Sequence, residues 1–459
     1  MINKINAYFE KEKENMLKDL ASLIEIPSVL GEKEVDAPFG KEPKRALLKM
    51  LEIAERDGFK TNNIDNYAGE IDLNDDETTL AILGHLDVVP EGDGWTLDPY
   101  KMVEKDGKVY GRGTSDDKGP VIAAFYALKA VREMGIALKN NVRLIVGTNE
   151  ETGSGDIEYY VTKRKMPPMV FTPDSSFPVT NVERGRFSKE FTAKFNENKE
   201  KGVVSFDGGF VSNAVPSKAQ ATLKGYSENE ILKVLETVSS ETNIRFSLTQ
   251  NNDLVTILAE GTSAHASTPE MGNNPITALI YAVSKICGDA MFCNLSKLFP
   301  HGKFHGEGLG VNMEDEISGP LTMSLDILKT ENGAITGCFD SRIPLCATKE
   351  NLAYKVRDEL GEIGFALSDT DMVPVHYVDE NSEFVKKLLN AYETFTGEKG
   401  YCEKIGGGTY VHEIEGGVAF GAVMPNTDTN MHGADEFMPI DELLIAAKIF
   451  TYAIIDILS

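Results

Sequence analysis

The run Ala81-Ile82-Leu83-Gly84-His85-Leu86-Asp87 ends a strand-like apolar stretch in an imidazole and a carboxylate two residues apart. An imidazole can ligate a divalent ion or carry a proton at neutral pH, and a carboxylate beside it can fix which ring nitrogen does so. Four more apolar runs lead into the same kinds of group. "VYGRGTS" precedes Asp116-Asp117, "VRLIVGTN" precedes Glu150-Glu151, "MVFTP" precedes Asp174, and the loop after "VAFGAV" carries His432. Singly, each has an ordinary reading. A histidine at a strand end is usually satisfied locally, Asp-Asp caps a helix, an acid after Pro sits in a turn, and Glu-Glu is uninformative among 72 acids. Jointly they form an oxygen- and nitrogen-rich ligand set without cysteine, suited to Zn2+, Mn2+ or Co2+ in a catalytic role. The set exceeds what one ion needs, and clustered carboxylates repel unless cations neutralise them. Two ions roughly 3.5–4 Å apart, bridged by one carboxylate, fit the count.

The elements around these residues predict how they meet. Residues 4–25, 42–57 and 118–134 show helical apolar spacing, and 79–84, 142–148 and 169–172 read as buried strands. Such alternation predicts an α/β domain with a largely parallel sheet, whose strand carboxyl ends border a ligand crevice. From about 181 the pattern changes. Antiparallel strands within 186–225 and 253–260, helices near 228–240 and 274–289, a less regular stretch, a strand near 334–343 and a helix near 350–363 predict an α+β insertion. The α/β pattern resumes with a helix at 382–395, the strand 418–423 and a helix at 440–458. The expected organisation is a catalytic α/β domain over 1–180 and 379–459, interrupted by a smaller lid domain over 181–378.

Composition excludes several classes. Lys and Arg number 46 against 72 Asp and Glu, a formal charge of −26 that repels phosphate backbones and anionic membranes. Nucleic acid and membrane are therefore not expected partners. The five scattered cysteines form no C-x-x-C pair and read as reduced thiols. With no signal-like apolar core near the start and no long apolar run, a cytoplasmic location is expected.

The segments "GHLDVVP", "YGRGTSDDKG", "GTNEETGSGD", "FTPDSSFP" and "NMHGADE" resemble the motifs of the M20 metallopeptidase family, in particular bacterial Xaa-His, carnosinase-like dipeptidases. The resemblance runs over essentially the whole chain. It implies that His85 and His432 each bind one ion, that Asp116 bridges both, and that Glu151 and Asp174 complete one ligand set each. It implies a cis peptide bond between Asp116 and Asp117, with Asp117 not a ligand. Asp87 would orient His85. Glu150 would be the general base, taking a proton from a metal-bridging water and passing it to the leaving amine. The cofactor implied is a pair of divalent ions, Zn2+ first, with Mn2+ or Co2+ as alternatives.

The insertion resembles the family's lid. His265 in "EGTSAHAST" would donate to the oxyanion, Asn213 would touch substrate, and Arg342 in "FDSRIP" would clamp its C-terminal carboxylate. Gly407, Gly408 and Thr409 in "IGGGTYVHE" let backbone N–H groups approach a substrate anion. His301 and His305, four apart among glycines, offer no clear second site, and His376 and His412 fall in no ligand pattern. The expected activity is hydrolysis of dipeptides with a free N-terminus by a monomer. The alternatives are an M20 amidohydrolase of N-acyl or N-succinyl amino acids and a non-catalytic binding protein on this fold.

Overall fold

The computed structural model describes residues 1–197 and 199–459. Contacts divide the chain into two compact units, Met1–Val182 with His376–Ser459, and Glu183–Val375. The α/β class with an α+β insertion that the sequence predicts is what the chain adopts.

In the first unit the strand Thr78–His85 lies at the centre of a mixed sheet. It runs parallel to Asn141–Gly147 on one side and Met169–Thr172 on the other, and Met169–Thr172 is parallel to Gly417–Ala419. The flanking strands Ala68–Asp72 and Val179–Glu183 are antiparallel to this core. The sheet is therefore parallel only where both faces are covered, as burial of parallel strands requires. Alternation along the central strand shows that cover. Leu80 and Ile82 join a core with the helices Ile2–Ile24, Lys118–Glu133 and Ile440–Leu458, whereas Ala81 and Leu83 pack with Tyr160, Val170 and Tyr410 on the other face.

One expectation needs correction. The run before Asp116 does not enter the central sheet. Lys108–Tyr110 belongs to a three-stranded ribbon with Val103–Lys105 and Phe437–Pro439. Asp116 lies in the loop between this ribbon and the helix Lys118–Glu133. A strand as short as Lys108–Tyr110 cannot by its residues be told apart as ribbon or core.

The second unit is an antiparallel sheet ordered Arg245–Asn251, Leu254–Glu260, Lys218–Lys224, Gly202–Gly208, Thr322–Glu331, Ala334–Ile343, Lys189–Lys194 and Ala366–Leu367. The helices Glu228–Thr242, Pro275–Cys287 and Ala290–Leu298 contribute to its single core. Within this sheet Asp326 sits at a register shift, with Ser324 Oγ donating to Oδ1 at 2.5 Å and Oδ2 buried without a hydrogen-bond partner. Burial, with Asp340 adding, pushes its carboxyl up to about 8, against Ser324 and Arg342. An unfolded Asp titrates near about 4, so between about 4 and about 8 the folded chain holds a proton the unfolded chain lacks. Stability from this group is therefore present at low pH and lost as pH rises through that window. Asp326→Asn is expected to melt above wild type at pH 8, with the gain shrinking toward pH 5. Circular dichroism melts at the two pH values check it.

Among the described residues no helix is long and apolar enough to cross a membrane. All five cysteines are unpaired.

Candidate metal centre

The strand Thr78–His85 delivers His85 at its carboxyl end, fully buried. The preceding residue must be small, because a Cβ on Gly84 would lie 2.6 Å from Asp117 Oδ2. That carboxylate accepts the backbone N–H of His85 at 3.0 Å, so Asp117 supports the strand end rather than facing the ligands. The Asp116–Asp117 peptide is cis.

Asp116 occupies the middle of the cluster. His85 Nε2 lies 3.0 Å from Asp116 Oδ1 and 3.6 Å from Asp174 Oδ2. His432 Nε2 lies 2.8 Å from Asp116 Oδ2 and 3.3 Å from Glu151 Oε2. Ligand atoms of His85, Asp116 and Asp174 all fall within 4.8 Å of one another, and so do those of Asp116, Glu151 and His432. Asp116 is common to both groups, and Glu150 belongs to neither.

The donor set fits divalent cations on two counts. His85 Nε2 and Glu151 Oε1 are buried without a hydrogen-bond partner although they face the cluster, an arrangement that is costly unless something else coordinates them. The groups also perturb one another, as clustered carboxylates do unless positive charge is shared among them. Burial raises Glu151, Asp174 and Glu150, the last to about 9 with Asp174, Glu151 and Asp116 adding and His85 opposing. Asp116 and Glu151 push His432 up to about 10.

Two further carboxylates hold the loop that carries Glu150 and Glu151. Asp87 Oδ1 accepts the N–H of Glu150 at 3.1 Å and Oδ2 that of Glu151 at 3.2 Å. His85 Nδ1 meets the backbone carbonyl of Asp87 at 3.0 Å and its carboxylate only at 3.4 Å. Asp87 thus fixes the His85 tautomer mainly through its backbone, while its side chain holds the acid loop. Asp156, at the start of the helix Gly155–Lys163, accepts from the N–H groups of Thr148 (2.5 Å) and Asn149 (2.8 Å) and from the hydroxyl of Tyr410 (2.5 Å). Burial, then Asp87, pushes Asp156 up to about 6. The strand Asn141–Gly147 ends in glycine because a Cβ there would collide with Tyr410 and Asp156.

Asp156, Tyr410 and Glu436 are not singled out by the sequence. They fall inside the segments "GTNEETGSGD", "IGGGTYVHE" and "NMHGADE", but the spacing assigns none of them a role. A cleft of about 370 Å3 opens on the cluster, lined by Asp116, Glu150, Glu151, Asp174 and His432 and bordered by Gly407, Gly408 and Thr409. Its size suits a small ligand. Thr409 also caps the short turn Tyr410–Glu413.

In the second unit, Asn213 and His265 are brought together. Ala214–Val215 pairs with Ala264–His265, and Asn213 O accepts the Ala266 N–H at 2.9 Å. His265 Nδ1 accepts the Ser267 N–H at 3.1 Å, which leaves the proton of the neutral ring on Nε2. Burial and Arg342 lower its pKa and favour that neutral form. Arg342 is buried, with Nε 2.7 Å from Asp340 Oδ1 and Nη2 3.2 Å from Asp340 Oδ2. Asp340 thus fixes the plane of its guanidinium. His301 and His305 bond apart, to Thr277 and to the Leu321 carbonyl, and His376 Nε2 bonds to the Gly417 carbonyl.

The sequence profile of peptidase family M20/M25/M40 matches residues 81–456. The chain belongs to that family. This M20 chain is therefore a hydrolase of peptide bonds, and its clustered ligands are a candidate divalent-metal group. It is 35% identical over 456 residues to the Beta-Ala-Xaa dipeptidase of Lactobacillus delbrueckii subsp. lactis, covering 98% of this chain and 97% of that one. The fold is shared with human carnosine dipeptidase 1, with a TM-score of 0.59, 17% identity and 99% of each chain covered. It is shared also with the di-peptidase Dug1p of Saccharomyces cerevisiae, with a TM-score of 0.59, 13% identity, and 99% and 98% covered.

Proposed function

We propose that this M20 peptidase is a dipeptidase that works with two divalent cations, Zn2+ ahead of Mn2+ or Co2+, on dipeptides with a free N-terminus, β-Ala-Xaa and Xaa-His among them. The observation that carries the reading is the pair of ligand groups sharing Asp116, with Glu150 beside them in one cleft and outside both. The substrate class is supported by the 35% identical Beta-Ala-Xaa dipeptidase, matched over nearly its full length.

His85, Asp116 and Asp174 would hold one ion and Asp116, Glu151 and His432 the other. Bound there, divalent cations supply Lewis acidity toward the scissile carbonyl and lower the pKa of water. Glu150 accepts the proton of the attacking water and returns it to the leaving amine. Asp87 keeps Glu150 and Glu151 at fixed height by holding their amides. His265 donates its Nε2 proton to the oxyanion as the tetrahedral carbon forms. Arg342, its plane set by Asp340, clamps the substrate's C-terminal carboxylate, and Asn213 touches substrate. Gly407, Gly408 and Thr409 offer polar backbone groups along the cleft. The enzyme acts as a monomer in a reducing cytoplasm, in line with its unpaired cysteines.

The test is metal analysis of the purified protein, joined to a substrate panel with Zn2+, Mn2+ or Co2+ restored in turn. Two ions per chain and turnover of β-Ala-His and other unblocked dipeptides are expected. Hydrolysis of N-acetyl or N-succinyl amino acids without dipeptide turnover would assign the enzyme to the amidohydrolase branch instead.

A further inference from the structure

Glu436 stands four residues beyond His432, and its side chain is fully buried. A buried carboxylate is stable as an anion only where donors surround it. Here they come from one short segment. Arg112 Nη1 donates to Oε2 at 2.8 Å. The N–H groups of Gly113, Ser115 and Asp116 donate to Oε1 at 3.1, 2.9 and 3.2 Å, and the Ser115 hydroxyl donates to the same oxygen at 2.9 Å. Successive N–H groups turned toward one point make an anion-binding concavity, and the anion it holds is the chain's own Glu436. The Glu436 carbonyl accepts the Gly111 N–H at 3.0 Å. The next residues, Phe437–Pro439, pair with Lys108–Tyr110.

The segment carrying Asp116 and the segment carrying His432 are therefore fastened together at Glu436. This matters unequally for the two ligand groups. His85 is fully buried at the end of a central strand, and its position is set by packing. The side chain of His432 is 50% exposed, on a loop residue with φ +60°. Packing holds His432 weakly, so its place beside Asp116 depends on the tether.

We infer that Glu436 is a positioning residue that sets the cation affinity of the group Asp116, Glu151 and His432, and influences the group His85, Asp116 and Asp174 far less. The inference rests on the two-ion reading proposed above. Glu436→Gln keeps the shape but removes the negative charge and sets an amide N–H2 against Arg112 Nη1 and the Gly113 N–H, both of which donate to Oε2. The probe is Zn2+ titrated into the metal-free full-length protein in competition with a chelator. Wild type is expected to bind in two steps, one of which His432→Ala abolishes. In Glu436→Gln that step weakens by about 10–100-fold while the other stays within about threefold. Ser115→Ala, which removes one donor and leaves the fold intact, weakens the same step by less. Ile454→Val, a core truncation in the helix Ile440–Leu458, lowers the melting midpoint and leaves both steps unchanged.

Unchanged affinities in Glu436→Gln and Ser115→Ala, or an equal fall in both steps, would overturn the inference alone. A single step in wild type would overturn the two-ion reading and the inference with it.

Discussion

Glu150→Gln is expected to lower kcat by about 10²–10⁴-fold, the usual contribution of a positioned general base, while the metal content stays at its wild-type value. The two halves of this result have separate causes. Glu150 lies outside both ligand groups, so its carboxylate is not needed to hold a cation. Its backbone N–H is held by Asp87 Oδ1 at 3.1 Å and that of Glu151 by Oδ2 at 3.2 Å, and both bonds survive the substitution, so Glu151 keeps its place in the cluster. What is lost is a proton acceptor facing the cleft. KM should change little, because a group that acts on the reacting atoms is felt mainly in the transition state. Steady-state kinetics on a dipeptide, with metal content measured on the same preparation, decide the matter. Loss of metal together with activity would make Glu150 a ligand, and unchanged kcat would remove it from the chemistry.

The candidate cluster was legible in the sequence because each member follows an apolar run, and the carboxyl ends of parallel strands converge whatever the loops do. His85 and Asp174 needed nothing more. Asp116 was legible for a partly different reason from the true one, since the strand before it belongs to a separate ribbon and the approach to the cluster is made by a loop at a helix N-terminus. The role of Asp87 was half legible. Alternation in an extended chain suggests that residues 85 and 87 share a side, but the bonds from its carboxylate to residues 63 and 64 positions away are tertiary and leave no local trace.

The same holds for Asp156 with Tyr410, 254 positions apart, and for Glu436 with residues 112–116. Supporting carboxylates are chosen by where backbone N–H groups point, and that direction is set only once the loop has folded. In the insertion, the helix Ala290–Leu298 and the strand Thr322–Glu331 lie within the stretch that read as irregular. Residues 322–327 alternate polar Thr322, Ser324 and Asp326 with apolar Met323, Leu325 and Ile327, the period of a strand, so the pattern does carry this element; what it conceals is that the polar members are buried as well.

Asp116→Ala is expected to remove both cations and to reduce turnover by about 10³-fold or more, the consequence of losing several kcal/mol of Lewis-acid stabilisation. The argument turns on sharing. Asp174→Ala or His432→Ala each takes one ligand from one group, whereas Asp116 supplies Oδ1 toward His85 and Oδ2 toward His432. Single-group variants should therefore retain one tightly held ion, and the Asp116 variant none.

A thermal readout separates this from unfolding. Any species that binds only the folded state stabilises it by mass action, about 2.7 kcal/mol at a free concentration one hundred times the dissociation constant. Added Zn2+ should raise the melting midpoint of wild type and, less, of the single-group variants, but not of Asp116→Ala. In the absence of metal that variant should melt close to wild type. It gives up the contacts of Asp116 with two imidazoles, and it also relieves the repulsion that raises Glu151 and Asp174. A metal-free midpoint far below wild type would mean that Asp116 serves the fold rather than the ions. A Zn2+-dependent rise in the variant equal to that of wild type would mean that the cations bind without it, and the shared-ligand reading would fall.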